Sequence, residues 1–328
     1  MNNINKSRTK FFQIIQDYDK FIITTHINPD GDGLGAEAAL YHYLKFLNKD
    51  VNIINDDLPE TKYNFLELPV HTKLDQAYVD NSVLIILDCN ELNRINKLFS
   101  SYIDDFEKII VIDHHRDPQL INNSIRIIDH AASSVCEIVY LLMENKFNEL
   151  PHKLLLKMSQ ALYTGIIFDT NSFANSNVSE ATYCIAGKLV DRGIDNTIPY
   201  KHIFQDKPNK KLRLLGETLS SLQEYAQGKI VIYKTTQKML KRANATMEDA
   251  SGFTKEVRPD GFREIVVYIR ELKKNSCRVS LRSKKFNVQK VAKKFGGGGH
   301  KLAAGFRTEM DISALQKKLL DLILTDLS

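Results

Sequence analysis

No stretch of this 328-residue chain is apolar for long enough to cross a bilayer as a helix. The opening Met1-Asn2-Asn3-Ile4-Asn5-Lys6 is not followed by the apolar core of a secretory leader, so none is expected. Its four cysteines, Cys89, Cys136, Cys184 and Cys277, lie far apart and form no Cys-x-x-Cys pair. That argues against both a disulfide framework and a thiolate zinc site. These absences point, by default, to a cytoplasmic location. Internal repeats and low-complexity tracts are missing as well. A composition of 43% apolar and 26% charged residues is that of an ordinary globular protein, long enough for two domains.

Acidic residues are absent between Glu271 and Glu309, where eleven Lys/Arg fall. The net charge of +5 hides a division: residues 1–200 hold 18 Lys/Arg against 27 Asp/Glu, and residues 201–328 hold 27 against 13. A solvated basic face would explain the run by itself. An acidic half joined to a basic half suggests instead that one half gathers cations and the other an anionic substrate.

The first half alternates short apolar runs with helical periodicity. Phe21–Thr25, Val51–Asn55, Val83–Leu87, Ile109–Ile112 and Ile125–Ile128 read as strands. They are continuous and rich in β-branched residues, as in a parallel sheet buried on both faces. Helices are expected from about Gly33, from Ser134 (spaced from Glu137 as a capping box), from Pro151, and from Ser179 to Arg192. The expectation is an α/β fold: a doubly wound, mainly parallel sheet domain over 1–193, a linker with a helical turn or more over 194–208, and a smaller α+β domain over 209–328. In the latter we expect a helix over Asn209–Tyr225, strands over Lys229–Lys234, Glu264–Arg270 and Cys277–Arg282, a helix over Val288–Phe295, a glycine run and a last helix over Ile312–Leu324.

Chemistry-bearing residues cluster where those strands end. His26-Ile27-Asn28-Pro29-Asp30-Gly31-Asp32-Gly33 follows the first strand, with Pro29, Gly31 and Gly33 permitting a tight turn that aims both carboxylates one way. An Asx turn capping the next helix is the competing reading. Asp88 ends Val83–Leu87, and Asp113-His114-His115 ends Ile109–Ile112. One buried structural histidine is ordinary; two adjacent ones beside a carboxylate are not. Asp169 follows the apolar Leu162–Phe168, while Asp129 and His130 read as supporting residues. Together they crowd carboxylates whose mutual repulsion cations would relieve. Imidazole and carboxylate without thiolate suit manganese, with magnesium and cobalt as alternatives. There are ligands enough for two ions about 3.5–4 Å apart, as in two-metal hydrolases. In the basic half, Gly296–Gly299 could cradle an anion with backbone N–H groups, next to His300, and Arg282 offers a planar donor fork.

This ordered set resembles the DHH phosphoesterase superfamily, named for the Asp-His-His found here at 113–115, and within it the nanoRNase and pAp-phosphatase branch. The likeness runs from His26-x-x-Pro29-Asp30-Gly31-Asp32 through Asp88, Asp113-His114-His115 and Asp169-Thr170 to Gly297-Gly298-Gly299-His300-x-x-Ala303-Ala304-Gly305. It implies that His26 and Asp30 hold one metal, that Asp32, His114 and Asp169 hold or share the other, and that Asp88 bridges them. It places His115 by the scissile phosphate, counts Asp88 and His300 with it as catalytic residues, and puts Arg282, Gly297, Gly298, Gly299 and His300 on the far end of the substrate. The implied substrates are short RNA, the dinucleotide pApA and the mononucleotide 3′-phosphoadenosine 5′-phosphate (pAp). Neither a membrane nor stable duplex DNA is an expected partner; a homodimer is compatible. Competing readings are a RecJ-like single-strand DNA exonuclease and a nucleotide-binding regulator without catalysis. Asn171 stands where this branch commonly has glycine; Asn reaches left-handed backbone angles readily, so the turn should survive.

Overall fold

A computed structural model describes residues 2–95, 97–115, 121–205 and 207–327. The chain divides into two compact units, 1–206 and 207–328.

The first unit runs α1 (Asn2–Asp17), β1 (Lys20–Thr24), α2 (Gly31–Phe46), β2 (Asp50–Ile54), β3 (Val70–His71), α3 (Gln76–Val79), β4 (Val83–Leu87), α4 (Phe99–Tyr102), β5 (Lys108–Asp113), β6 (Ser124–Ile128), α5 (Val135–Met143), α6 (His152–Asp169), α7 (Glu180–Asp191) and α8 (Thr197–Tyr200). Every pair of neighbouring strands is parallel, and the order is β3-β2-β1-β4-β5-β6. All five residues of β4 are buried, because helices cover both faces of the sheet. That is why its sequence, Val-Leu-Ile-Ile-Leu, does not alternate. The strand order reverses between β1 and β4, and such a switch point opens a crevice at the carboxyl ends of the strands.

Most of the segment expected to link the domains instead packs on this unit, with Ile194, Ile203 and Phe204 against its core. The Ser134 cap is only half of a box. Ser134 accepts the Glu137 N–H, but the Glu137 carboxylate turns to Ser133 and Thr182. A complete box is found at Ser179 and Thr182, starting α7.

The second unit runs α9 (Asn209–Ser220), β7 (Gln223–Tyr225), β8 (Ile230–Thr235), α10 (Gln237–Ala243), β9 (Ile265–Lys273), β10 (Ser276–Ser283), α11 (Val288–Lys293), β11 (Gly298–His300), β12 (Ala303–Thr308) and α12 (Ile312–Leu327). Its sheet, β11-β12-β10-β9-β8-β7, is antiparallel except for β8 and β9. The helix expected over 209–225 stops at Ser220. Ser221 Oγ accepts from Lys234 N and donates to Lys234 O, which draws the chain into the sheet. The glycine run is not an open loop, for Gly298–His300 pairs with β12. A Cβ on Gly297 would lie 2.3 Å from Gly305 O, and Gly299 has φ +130°; neither position admits a side chain.

Candidate metal centre

Three strand ends at the switch point and two helices bring the expected acidic and imidazole groups into one place. His26 follows β1, Asp88 follows β4, and His114 follows β5. Asp30 and Asp32 lie at the start of α2, and Asp169 ends α6.

Asp88 lies between two groups. Its Oδ2 is 3.4 Å from His26 Nε2, which is 3.5 Å from Asp30 Oδ2. Its Oδ1 is 3.5 Å from His114 Nε2, which is 3.3 Å from Asp169 Oδ2 and 3.8 Å from Asp32 Oδ2. Two oxygen or nitrogen atoms each about 2.1 Å from one cation lie about 3–3.6 Å apart, so these are separations of ligands around ions rather than of bonded partners. Asp88 Oδ1 and His114 Nε2 are buried with no hydrogen-bond partner, which is costly unless something else takes their lone pairs. The donor set therefore fits divalent metal, and the described residues contain three candidate ligand groups, His26-Asp30-Asp88, Asp32-His114-Asp169 and Asp88-Asp113-His114-His115.

The local structure fixes several of these side chains through further hydrogen bonds. Both readings of Asp30 are realised, one per oxygen. Oδ1 caps α2 through the N–H groups of Asp32 and Gly33, leaving Oδ2 for His26. Asp32 takes the Val135 and Cys136 N–H groups, at 2.6 and 3.0 Å, from the N-terminus of α5. His26 Nδ1 meets Ile27 O at 2.9 Å, which leaves Nε2 as the nitrogen that faces the carboxylates. Asp88 sits at φ +56°, a left-handed angle that a short polar residue tolerates.

Asp113 commits one oxygen to the local turn, while its Oδ2 is buried with no hydrogen-bond partner. Its buried Oδ1 accepts the His114 and His115 N–H groups and lies 2.8 Å from His115 Nδ1. This carboxylate shapes the turn and orients the ring. His115 is 41% exposed, against 11% for His114, so it faces the opening. Asp129 Oδ1 accepts from Ala131 N, and His130 Nδ1 lies 3.2 Å from His114 O, in supporting positions.

The crowded carboxylates and imidazoles shift one another strongly. Burial opposes a charge on His26, but Asp30 and Asp88 outweigh it and lift its pKa to about 11. His114 is raised likewise: burial opposes the charge and Asp88 and Asp32 prevail. Burial also disfavours a charge on Asp88, yet His114 and His26 hold it down at about 2. Asp32 is pushed well up by burial and by Asp88, and Asp169 to about 6 by the same causes. Asp113 raises His115.

Gly31 and Gly33 do not make the tight turn expected of them. Both are helical, and their missing side chains serve packing: a Cβ would lie 2.7 Å from the Phe168 ring and 2.2 Å from Thr25 Oγ1. Gly165 of α6 is tighter still, with Cys136 Sγ at 2.2 Å and Asp32 Oδ1 at 2.6 Å. Asn171 keeps the turn after Asp169, at φ 49°.

Sequence reasoning missed a buried network behind His26. Glu37, fully buried in α2, accepts from Asn55 Nδ2, while Asn55 Oδ1 accepts from Thr25 N. Thr25 Oγ1 in turn donates to Leu87 O, just before Asp88. Burial lifts Glu37 to about 8. A glutamate among alanines on an apolar helix was the available signal.

In the second unit, Arg282 is exposed on β10 opposite Ala303, and lines an open cavity of about 390 Å³ together with Gly298 and Gly299. His300 is exposed at the end of β11.

Residues 20–166 match the DHH family, N-terminal domain, and residues 227–325 match the DHHA1 domain. The bifunctional oligoribonuclease and PAP phosphatase NrnA of Mycoplasma genitalium is 28% identical over 302 residues, 91% of this chain and 92% of that protein. The protein of the same name in Bacillus subtilis is 29% identical over 304 residues, with the same shares. The crystal structure of an exopolyphosphatase-related protein from Bacteroides fragilis has a TM-score of 0.84 at 24% identity, covering 98% of this chain and 96% of that one, a likeness of fold. No helix among the described residues is long and apolar enough to cross a membrane.

Proposed function

Because the chain belongs to the DHH family, with a DHHA1 domain after its DHH domain, we propose that it is a metal-dependent phosphoesterase of short oligoribonucleotides, pApA and pAp. One observation carries the reading: Asp88 presents one oxygen to the His26–Asp30 group and the other to the His114–Asp169 group. That arrangement suits a bridging carboxylate between two divalent ions, for which this thiolate-free set favours manganese over magnesium or cobalt. Bound there, such ions would supply an acidified water at neutral pH and offset the charge of the phosphoryl oxygens.

The chain's own residues do the rest. His26 and Asp30 would hold one ion, and Asp32, His114 and Asp169 the other. Asp113 fixes His115 through Nδ1, so Nε2 of that exposed ring is free to orient the scissile phosphate or to move a proton. Arg282, Gly297, Gly298, Gly299 and His300 are assigned to the far phosphate of the substrate. Arg282 is exposed on β10 and lines the same open cavity as Gly298 and Gly299, where its planar fork can meet an anion. The names of the Mycoplasma and Bacillus relatives support both the oligoribonuclease and the phosphatase activity.

The test is a substrate panel. The manganese-loaded protein is offered pApA, pAp, a five-nucleotide RNA and a long single-stranded DNA. Release of mononucleotide or phosphate from the short substrates is expected. No release from any of them would overturn the reading.

A further inference from the structure

Directly after Asp169 the backbone does something expensive. Asn171, Ser172 and Phe173 are all left-handed, with φ of 49°, 57° and 65°. Each such non-glycine residue costs on the order of a factor of five or more in stability, and a bulky Phe is among the least suited. Strain of this kind persists only where surrounding bonds enforce it, and here they do. Phe173 N donates to Thr170 Oγ1, Asn175 Nδ2 donates to Asp169 O at 2.9 Å, and Asn177 Nδ2 donates to Ser133 O at 2.9 Å. The segment is thus tied at one end to Asp169, a candidate metal ligand, and at the other to the turn that starts α5, whose N–H groups hold Asp32.

What the strained turn delivers is an aromatic surface. The Phe173 ring stacks on Tyr183 of α7, with centroids 5.2 Å apart and planes 18° from parallel. Tyr183 is nonetheless 57% exposed, so Phe173 covers one face and leaves the other to solvent. No hydrogen bond of the Tyr183 hydroxyl is recorded among the described residues, and burial of apolar area does not explain a ring so open. Just before it in α7, Thr182 is locked to Glu137, which holds the helix in place. A flat, solvent-facing ring, stacked on a residue four positions after Asp169, matches the π-face that every nucleobase presents.

We propose that the Phe173–Tyr183 stack is a nucleobase platform at the rim of the metal centre, on which a base of the substrate lies while its phosphate is held by the metal ligands. This rests on the phosphoesterase reading above for the identity of the substrate. Phe173 positions Tyr183, and Tyr183 touches the base. The platform is indifferent to base identity, because stacking uses the ring faces and not their hydrogen-bonding edges.

The experiment compares the manganese-loaded wild-type chain with Tyr183→Ala and Tyr183→Phe. Tyr183 lies on an exposed helical surface where alanine is a better helix former, so the fold should hold. Turnover is measured on pApA and on the same dinucleotide with one base removed. Tyr183→Ala should raise KM for pApA about tenfold, the order lost with one base–aromatic stack, with kcat little changed. Tyr183→Phe should restore it, and the base-free substrate should not distinguish the three proteins. An equal KM rise on both substrates, a Tyr183→Phe variant as weak as Tyr183→Ala, or no change at all would overturn the platform. A second arm reads stacking without turnover, as quenching of a 2-aminopurine dinucleotide on binding. Quenching that Tyr183→Ala abolishes, in a wild-type chain that hydrolyses nothing, would keep the platform and sink the phosphoesterase reading. Turnover with quenching unaffected by Tyr183→Ala would do the reverse.

Discussion

Asp113 Oδ1 lies 2.8 Å from His115 Nδ1, and the same oxygen accepts the backbone N–H groups of His114 and His115. One buried carboxylate therefore sets both the turn that carries two imidazoles and the tautomer of the outer one. Asp113→Asn keeps the size but can turn its NH2 toward Nδ1, which favours the opposite tautomer. Turnover should fall about 10–100-fold, the range for a partner that orients a functional imidazole. KM should change less than kcat. Unchanged kcat in steady-state assays would show that His115 needs no such orientation.

Asp88→Asn should abolish turnover while leaving the fold intact. Asparagine tolerates the left-handed angle of φ +56° and retains the volume, so backbone strain does not increase. It removes the charge that two ligand groups share. Added manganese should raise the melting temperature of the wild-type chain and have little effect on the variant, because a ligand stabilises only as far as it binds the folded state. An equal manganese-dependent rise in both proteins would remove Asp88 from the centre.

Loading the centre should release protons. In the metal-free chain His26, raised to about 11, and His114, also raised, are protonated at pH 8. A histidine ligand must be neutral, so binding expels those protons and affinity should rise with pH. Calorimetry at pH 8 in buffers of different ionisation enthalpy should give about two protons released from these histidines. No buffer dependence would contradict the assigned ligands. Chelation should silence the enzyme, and manganese should restore it.

Two helical glycines should answer alanine in opposite directions. At Gly165 a Cβ meets Cys136 Sγ at 2.2 Å and Asp32 Oδ1 at 2.6 Å. Gly165→Ala should destabilise by about 1–3 kcal/mol, as overpacking does, and weaken manganese binding through Asp32. Gly187, exposed in α7, has nothing within 4 Å of its Cβ position. Gly187→Ala should stabilise by about 0.5–1 kcal/mol. Denaturant titrations of the two variants check both signs.

The arginine that the basic half contributes is open to a simple check. Arg282→Ala should weaken binding of pApA by about 1–3 kcal/mol, the loss of a charge-assisted hydrogen bond. The melting temperature should stay constant, since the side chain is exposed on β10. A fall in kcat with unchanged KM would assign it to the chemistry instead.

The sequence by itself determined the parallel sheet and the positions of the candidate ligands. Continuous apolar runs such as Val83–Leu87 can be buried only between two helical layers, and a residue ending such a strand must emerge at the crevice. So Asp88 and His114 were legible from position alone. Tertiary structure decided what each residue does with its remaining atoms, because those partners are distant in sequence. Asp32 reaches across to Val135 and Cys136, Glu37 to Asn55, and Asn177 to Ser133. Gly31 and Gly33 looked like turn residues, yet their purpose is contact with Phe168 and Thr25. Nor does any local pattern foretell that Ser221 would exchange hydrogen bonds with Lys234 and end a helix early. Periodicity reports which way a side chain faces; only the packed chain reports what it meets.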